Sequence, residues 1–511
     1  MSRGKNAVRW AILLFFLAAC LYIAWKVPYT HDDWDWGLPI GWERFWSSSL
    51  NSRYSGTALV LMMTRSQLAK ILVMGGCMFA IPFLAARLAA PEQRRTSLFL
   101  TAAAGAALFS MPMVSWRQTF GWVSAFANFV AGAAVMLGVL LLWQRTFSRE
   151  KKPHPMWLGV GLFLGCLIGS LFAENITPVL AGAGLVTAGY ALITRWGRLP
   201  ALAGLAGCLL GALLMFGNPL YGQLVSNGAA LEGIRTMAFA PGTGLAGIVA
   251  VMWERFFTLL LPGLFESYPG VCLLASVGCL WRLHRGGVRW YWQALVGLWS
   301  AIYCAQCWVV MEQLRQLDSW QCPWQPVRVA GAVIQLILLL AVVVWDGGKK
   351  RNARLLLLAA AVGMLLPFAV VTEYGTRCVF PSAVALLVAG LSLLHGLEKV
   401  RWVYALALIA LVFSVGFHLR AYRLIGQTEW IRQTQMTQAV AEGASSVVLP
   451  TEGWDLYYFW GRNPQSEVRA DYFRAFYGLP EDMELIFLPP GSAEQWPQIS
   501  EQMLQAAQRF S

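Results

Sequence analysis

The sequence predicts an all-α polytopic membrane protein with a small α/β domain at its C-terminus, and three observations carry that expectation. Of 511 residues, 58% are hydrophobic and only 13% charged, against about one-quarter charged in a soluble domain. Almost wholly apolar runs recur at 11–24, 98–108, 135–142, 329–344 and 355–366, as lipid-facing helices require. The short connections between such runs collect Lys and Arg.

The first run carries Arg3, Lys5 and Arg9 on its flank. No small-residue cleavage site follows Cys20, so it reads as a retained helix rather than a signal peptide. Further spans are expected near 68–86, 98–114, 121–143, 157–172, 176–193, 199–216, 267–281, 290–310, 327–345, 355–371, 379–396 and 402–417, about thirteen in all. Basic connections at 87–95, 145–152, 195–198, 282–289, 349–354 and 399–401 belong in the cytoplasm by the positive-inside rule. The N-terminus is then inside and the C-terminus outside, in a bacterial inner (cytoplasmic) membrane, with Asp32, Asn218 and Trp454 on the outer face. The net charge of +13 follows from this topology, and no nucleic-acid partner is expected.

Two outer segments are long. Residues 28–63 hold polar clusters and an amphipathic stretch, expected as interfacial helices. Within 218–266, residues 249–261 carry Glu254 and Arg255 inside an apolar helical pattern, expected to be interfacial or re-entrant. The chain divides at 417/418 into a transmembrane domain (1–417) and a polar outer domain (418–511). The outer part has strand-like runs at 446–449 and 485–488 and many aromatics, Trp454, Tyr457, Phe473 and Phe476 among them. Ten cysteines sit mostly in apolar runs. For Cys304, Cys307 and Cys322 a disulfide is one reading and small buried hydrophobes the other.

Chemistry concentrates in His31-Asp32-Asp33-Trp34-Asp35-Trp36, just past the first helix. Three carboxylates so close repel unless a cation, a basic partner or a proton compensates. A solvated acidic turn is the bland alternative. Arg53, Arg117, Glu174, Asn175, Asn218, Arg315, Glu373 and Arg377 map to the same outer boundary as Asp32, although the span assignment used none of them. Glu373 and Arg377 stand at i,i+4, so a helix-end salt bridge competes with a binding role. Asn128 is expected to be a helix-packing hydrogen bond. Trp34, Trp36, Trp42, Trp46 and Trp116 are placed for sugar stacking, with interface anchoring as the commoner duty.

The first helix, the outer Asp-Asp-Trp, the stretch Asn51-Ser52-Arg53-Tyr54-Ser55-Gly56 and the many further spans resemble the GT-C superfamily of polyprenyl-phosphate-sugar-dependent glycosyltransferases. The likeness extends through Ser115-Trp116, Phe126-Ala127-Asn128, Ala173-Glu174-Asn175-Ile176-Thr177, Gly217-Asn218-Pro219 and Glu373-Tyr374-Gly375-Thr376-Arg377 to Arg474-Ala475-Phe476-Tyr477-Gly478-Leu479. It implies a GT-C-like bundle and an inverting transfer of sugar to a cell-surface glycan or lipid acceptor. Asp32 or Asp33 would be the catalytic base or bind a divalent cation, Mg or Mn. Asp35, Arg53, Arg117, Glu174, Asn175, Asn218, Glu373 and Arg377 would contact substrate. Partners would be the polyprenyl-phosphate-linked sugar, the acceptor and membrane lipids.

Two rivals remain at this stage. A ligase or polymerase using a lipid-diphosphate donor would need similar arginines. A lipid-linked sugar transporter or flippase would carry charges along a mid-membrane path, and the spans read as nearly free of them.

Overall fold

The computed structural model describes residues 3–47, 51–93, 96–147, 156–230, 235–317, 325–348, 350–453, 457 and 462–501. Among them, eleven helices are long and apolar enough to cross a membrane. Two further expected spans, Leu98–Phe109 and Met156–Ser170, form apolar but shorter helices.

One expectation changes in the middle of the chain. Leu245–Ser267, which contains the stretch read as interfacial or re-entrant, is one of the eleven long helices. Its charged Arg255 donates to the carbonyls of Phe368 and Val371 at 2.9–3.4 Å, so the guanidinium satisfies frayed backbone instead of facing lipid. The span expected near 267–281 belongs to a separate helix, Pro269–Arg285, that begins on a proline.

The core is built around Phe380–Leu393, whose residues are all buried. Gly278 of Pro269–Arg285 lets that helix approach closely, since a Cβ there would stand 2.7 Å from Leu393. Small residues at helix contacts are how apolar bundles gain packing without a hydrophobic driving force.

Basic connections meet at the start of the first helix. Arg9 donates to the Thr96 carbonyl at 2.8 Å, and Lys350 pairs with Glu92 at 2.9 Å. Asp346 pairs with both Arg282 and Arg354. The loop residues Arg94 and Lys151 lie outside the described residues.

At the other end of the first helix come Asp32–Gly37, Pro39–Ser47 and Tyr54–Arg65, three short helices in place of one amphipathic stretch. Trp42 and Trp46 on Pro39–Ser47 are exposed.

The proposed boundary at 417/418 falls inside an unbroken helix, Arg401–Glu442. The apolar run 402–417 gives way there to Arg420, Arg423, Gln427, Glu429 and Arg432 while good helix formers continue, so composition changes without a break in the backbone. Two parallel strands, Ser446–Thr451 and Glu484–Pro490, follow it, with Val447 opposite Leu485 and Leu449 opposite Phe487. The helix Glu467–Tyr477 lies between them in sequence. Trp454 and residues 458–461 lie outside the described residues.

This terminal unit packs on the acidic helix. Trp34 joins a small core with Val447, Leu449, Phe473, Leu479 and Met483. A Cβ on Gly37 would stand 2.3 Å from the Phe476 ring, so that position has no room for a side chain.

Candidate functional site

A cavity of about 470 Å³ lies where the first helix gives way to the acidic helix. Its polar lining comes from Asp32, Asn51, Arg53, Glu174, Glu373 and Arg377, and a second wall is apolar, with Phe216, Leu224, Val225, Phe368 and Val371. Five of the ten predicted site residues therefore converge. They come from elements separated by hundreds of residues.

Local structure explains each placement. Asn51 accepts from the Arg53 backbone N–H at 3.0 Å, and the buried Ser52 hydroxyl donates to the Met215 carbonyl. This turn delivers Arg53 to the cavity, where its Nε donates to Glu174 Oε2 at 2.8 Å. Tyr221 donates to the other Glu174 oxygen at 2.9 Å. Burial opposes the charge on Arg53, but Glu174 first, and Glu373 after it, hold its pKa above the ordinary arginine value.

Arg377 is the second residue of a single 3-10 turn, Thr376–Val379, and Glu373 precedes it in non-helical chain. The expected helix-end geometry is therefore absent, because extended Gly375 separates the two residues. Arg377 donates to Gln118 Oε1 at 3.1 Å and stacks over Trp122 at 5.4 Å.

The three aspartates differ sharply. Asp33 is fully buried: Oδ2 accepts from the Thr30 N–H at 3.0 Å, and Oδ1 from the Ser124 N–H and hydroxyl at 2.9 and 2.6 Å. Burial, the largest influence, pushes its pKa up to about 7. Asp35 is held by Arg44 at 2.5 Å and Arg469 at 3.4 Å. Asp32 lines the cavity with about a third of its side chain accessible, 34%.

Among the described residues, both hydrogen bonds of Asp32 fall on Oδ1, from His31 Nδ1 at 2.5 Å and Arg469 Nη2 at 3.1 Å. Burial would raise its pKa, but the His31 bond and the charges of His31, Arg469 and Arg377 bring it below the ordinary carboxylate value. The backbone of His31 is left-handed at φ 47°. Strain of this kind concentrates at functional positions.

Other predicted residues serve the frame. Asn175 is buried and donates to the Cys378 carbonyl at 2.9 Å; Asn218 caps the helix Pro219–Asn227 by accepting from the Leu220 N–H at 2.9 Å. Neither lines the cavity, nor do Asp33, Asp35 and Arg117. The side chain of Arg315 lies outside the described residues.

Two tryptophans expected near sugar are core. Trp34 is buried against Phe473, and Trp116 is buried with its ring stacked 3.5 Å from His418. Trp36, of the same expected set, lines the cavity, joined by Trp122, which was not in it.

Sequence reasoning missed four residues. Arg469, Gln118 and Tyr221 reach the site through partners remote in sequence. Asn128 lines the cavity from a π-helical turn, Phe126–Val130, donating to the Ser124 carbonyl at 2.8 Å while its Oδ1 has no partner among the described residues. Gly56 leaves the room that Asn128 occupies, since a Cβ there would stand 2.1 Å from its Oδ1, a signal legible only in three dimensions.

Among the described residues no three His, Cys, Asp or Glu side chains stand together as a metal site. Asp33 accepts three hydrogen bonds from backbone and hydroxyl donors, and Asp32 faces an arginine. No chemical step is routed through a cation.

The spans are also less free of charge than their sequence implies. Lys70 is buried and donates to the Val27 carbonyl at 2.5 Å, and Arg328 pairs with Glu266 out of contact with solvent. Cys304 and Cys307 are free and buried, and Cys322 lies outside the described residues. Compared with known proteins, the chain matches no family model, no curated protein and no solved structure.

Proposed function

We propose that this chain is a membrane glycosyltransferase that moves a sugar from a polyprenyl-phosphate donor to a cell-surface glycan or lipid acceptor. The observation that carries this reading is the cavity itself. Asp32, with both of its hydrogen bonds from described residues on Oδ1, shares it with the guanidinium of Arg377 and an apolar wall.

Asp32 Oδ2 takes the proton of the acceptor hydroxyl. The acceptor oxygen bonds to the anomeric carbon as the bond from that carbon to the phosphate oxygen breaks. The electron pair leaves with the lipid phosphate, whose growing charge Arg377 meets through its fork of N–H donors. Arg53 donates to Glu174, to which Tyr221 also donates, and Arg377 on the cavity wall is assigned the first phosphate contact. Trp36 and Trp122 supply indole faces for the sugar. Phe216, Leu224, Val225 and Phe368 supply apolar surface for the first prenyl units.

The test is transfer by purified protein from a panel of labelled polyprenyl-phosphate sugars to envelope glycans and lipids. Asp32→Asn is expected to lower turnover by about 100-fold or more. Arg377→Lys keeps charge but loses the fork and should weaken donor use about tenfold, with Arg377→Ala lower still. Wild-type turnover in Asp32→Asn would remove Asp32 as the base. Product from lipid-diphosphate glycans alone would favour a ligase or polymerase. Donor crossing a vesicle wall with no product would favour a flippase.

A further inference from the structure

The acidic helix poses an electrostatic problem that its near neighbours in sequence answer one carboxylate at a time. Asp32 and Asp35 lie on one short helix, Asp32–Gly37, and each charge disfavours the other. Arg44 answers Asp35, and His31 answers Asp32. One guanidinium touches both: Arg469 gives Nη2 to Asp32 Oδ1 at 3.1 Å and Nη1 to Asp35 Oδ2 at 3.4 Å.

Arg469 belongs to Glu467–Tyr477, more than four hundred positions away in sequence. That helix is held against the acidic helix by Phe473, edge-on to Trp34 at 5.2 Å, and by Phe476, edge-on to Tyr29 at 5.3 Å. The aromatic contacts fix where the arginine stands. Its fork then engages the Oδ1 side of Asp32.

We propose that Arg469 is the positioning residue of the cavity carboxylate. It turns Asp32 so that Oδ2 faces the cavity and screens it from Asp35, which makes the terminal unit part of the site. The role assigned to Asp32 rests on the transfer reading, but the electrostatic role of Arg469 does not.

Two experiments on the full chain separate these. In the first, Asp32→Cys is labelled with a cationic and an anionic methanethiosulfonate, with and without Arg469→Ala. Loss of the nearby cation should shift the rate ratio toward the cationic reagent about tenfold. Val468→Ala, an exposed change on the same helix that keeps the charge, should leave the ratio within about twofold. An unchanged ratio in Arg469→Ala overturns the proposal.

In the second, transfer is measured in Arg469→Ala, Arg469→Lys and Arg469→Ala/Asp35→Asn. The first should lose about tenfold or more in kcat with little change in donor KM, and the others should regain most of it. A clamp that is only structural predicts no rescue by Asp35→Asn, and that result also overturns the proposal. A shifted labelling ratio in a protein that transfers no sugar would sink the transfer reading and leave the electrostatic role of Arg469 standing.

Discussion

Two of the arginine–glutamate pairs among the described residues, Arg53–Glu174 and Arg328–Glu266, stand in opposite surroundings. Arg53 and Glu174 meet at 2.8 Å on the wall of the cavity, each with about 15% of its side chain accessible, 16% and 14%. Arg328 and Glu266 meet through two bonds at 2.9 and 2.6 Å, with 2% and 1% accessible. The sealed pair satisfies itself and offers nothing to a ligand. The open pair meets the same demand while keeping one face toward space that a substrate can fill. Burial alone therefore does not mark function; access to a shared cavity does.

The largest expected effect breaks the sealed pair. Arg328→Ala or Glu266→Ala strands a buried charge and should cost about 3–5 kcal/mol of stability. Replacing both by apolar residues of similar size, Arg328→Met with Glu266→Leu, should recover most of it. Thermal unfolding in detergent reads both outcomes. A double variant as unstable as the singles would show that the pair is more than self-satisfying.

The acidic helix comes next. Ser124→Ala removes a hydroxyl donor to Asp33 and should cost about 1.5–3 kcal/mol, the worth of a hydrogen bond to a charged group. Asp33 also predicts a pH dependence. Burial first, then the charge of Asp32, raises its pKa from 3.8 to about 7 against the bonds from Ser124 and Thr30. Between those values the folded protein holds more protons than the unfolded chain, so this group makes stability fall as pH rises through the window. Asp33→Asn should flatten that slope, and unfolding temperatures taken across the window compare the two. Equal slopes would take Asp33 out of the account.

The smallest stability effect belongs to the open pair. Arg53→Ala should cost about 1–2 kcal/mol, between the values for exposed and sealed pairs. It should weaken donor use far more than Arg328→Ala does in the protein that remains folded. A loss of stability equal to that of the sealed pair would erase the distinction between the two.

How much of this was legible follows from what each signal measures. Hydropathy reports lipid-facing length, so most long helices could be placed before any coordinates. Boundary position was enough to gather Asp32, Arg53, Glu174, Glu373 and Arg377, because a bundle leaves its polar groups near its ends. Rotation about a helix axis was not legible. Nothing in Asp-Asp-Trp-Asp says that Asp33 and Trp34 turn inward while Asp32 faces the cavity, since that depends on Ser124 and Phe473. The Arg328–Glu266 pair was hidden too: two lone charges in apolar helices look like tolerable exceptions until their meeting is seen. Arg469 was out of reach, as its helix reads as an ordinary amphipathic surface helix.

The helix Arg401–Glu442 has a mechanical consequence. Forty-two residues in one helix make a rod about 63 Å long at 1.5 Å per residue, roughly twice the hydrocarbon thickness of a bilayer. It carries the terminal unit like a mast, so height and bearing are set by residue count. Inserting one residue near Phe417 would raise that unit by about 1.5 Å and swing it by about 100°, carrying Arg469 away from Asp32. Inserting seven would lift it about 10 Å but return it nearly to its heading. The chain thus sets the angle of its terminal unit by counting residues inside the membrane.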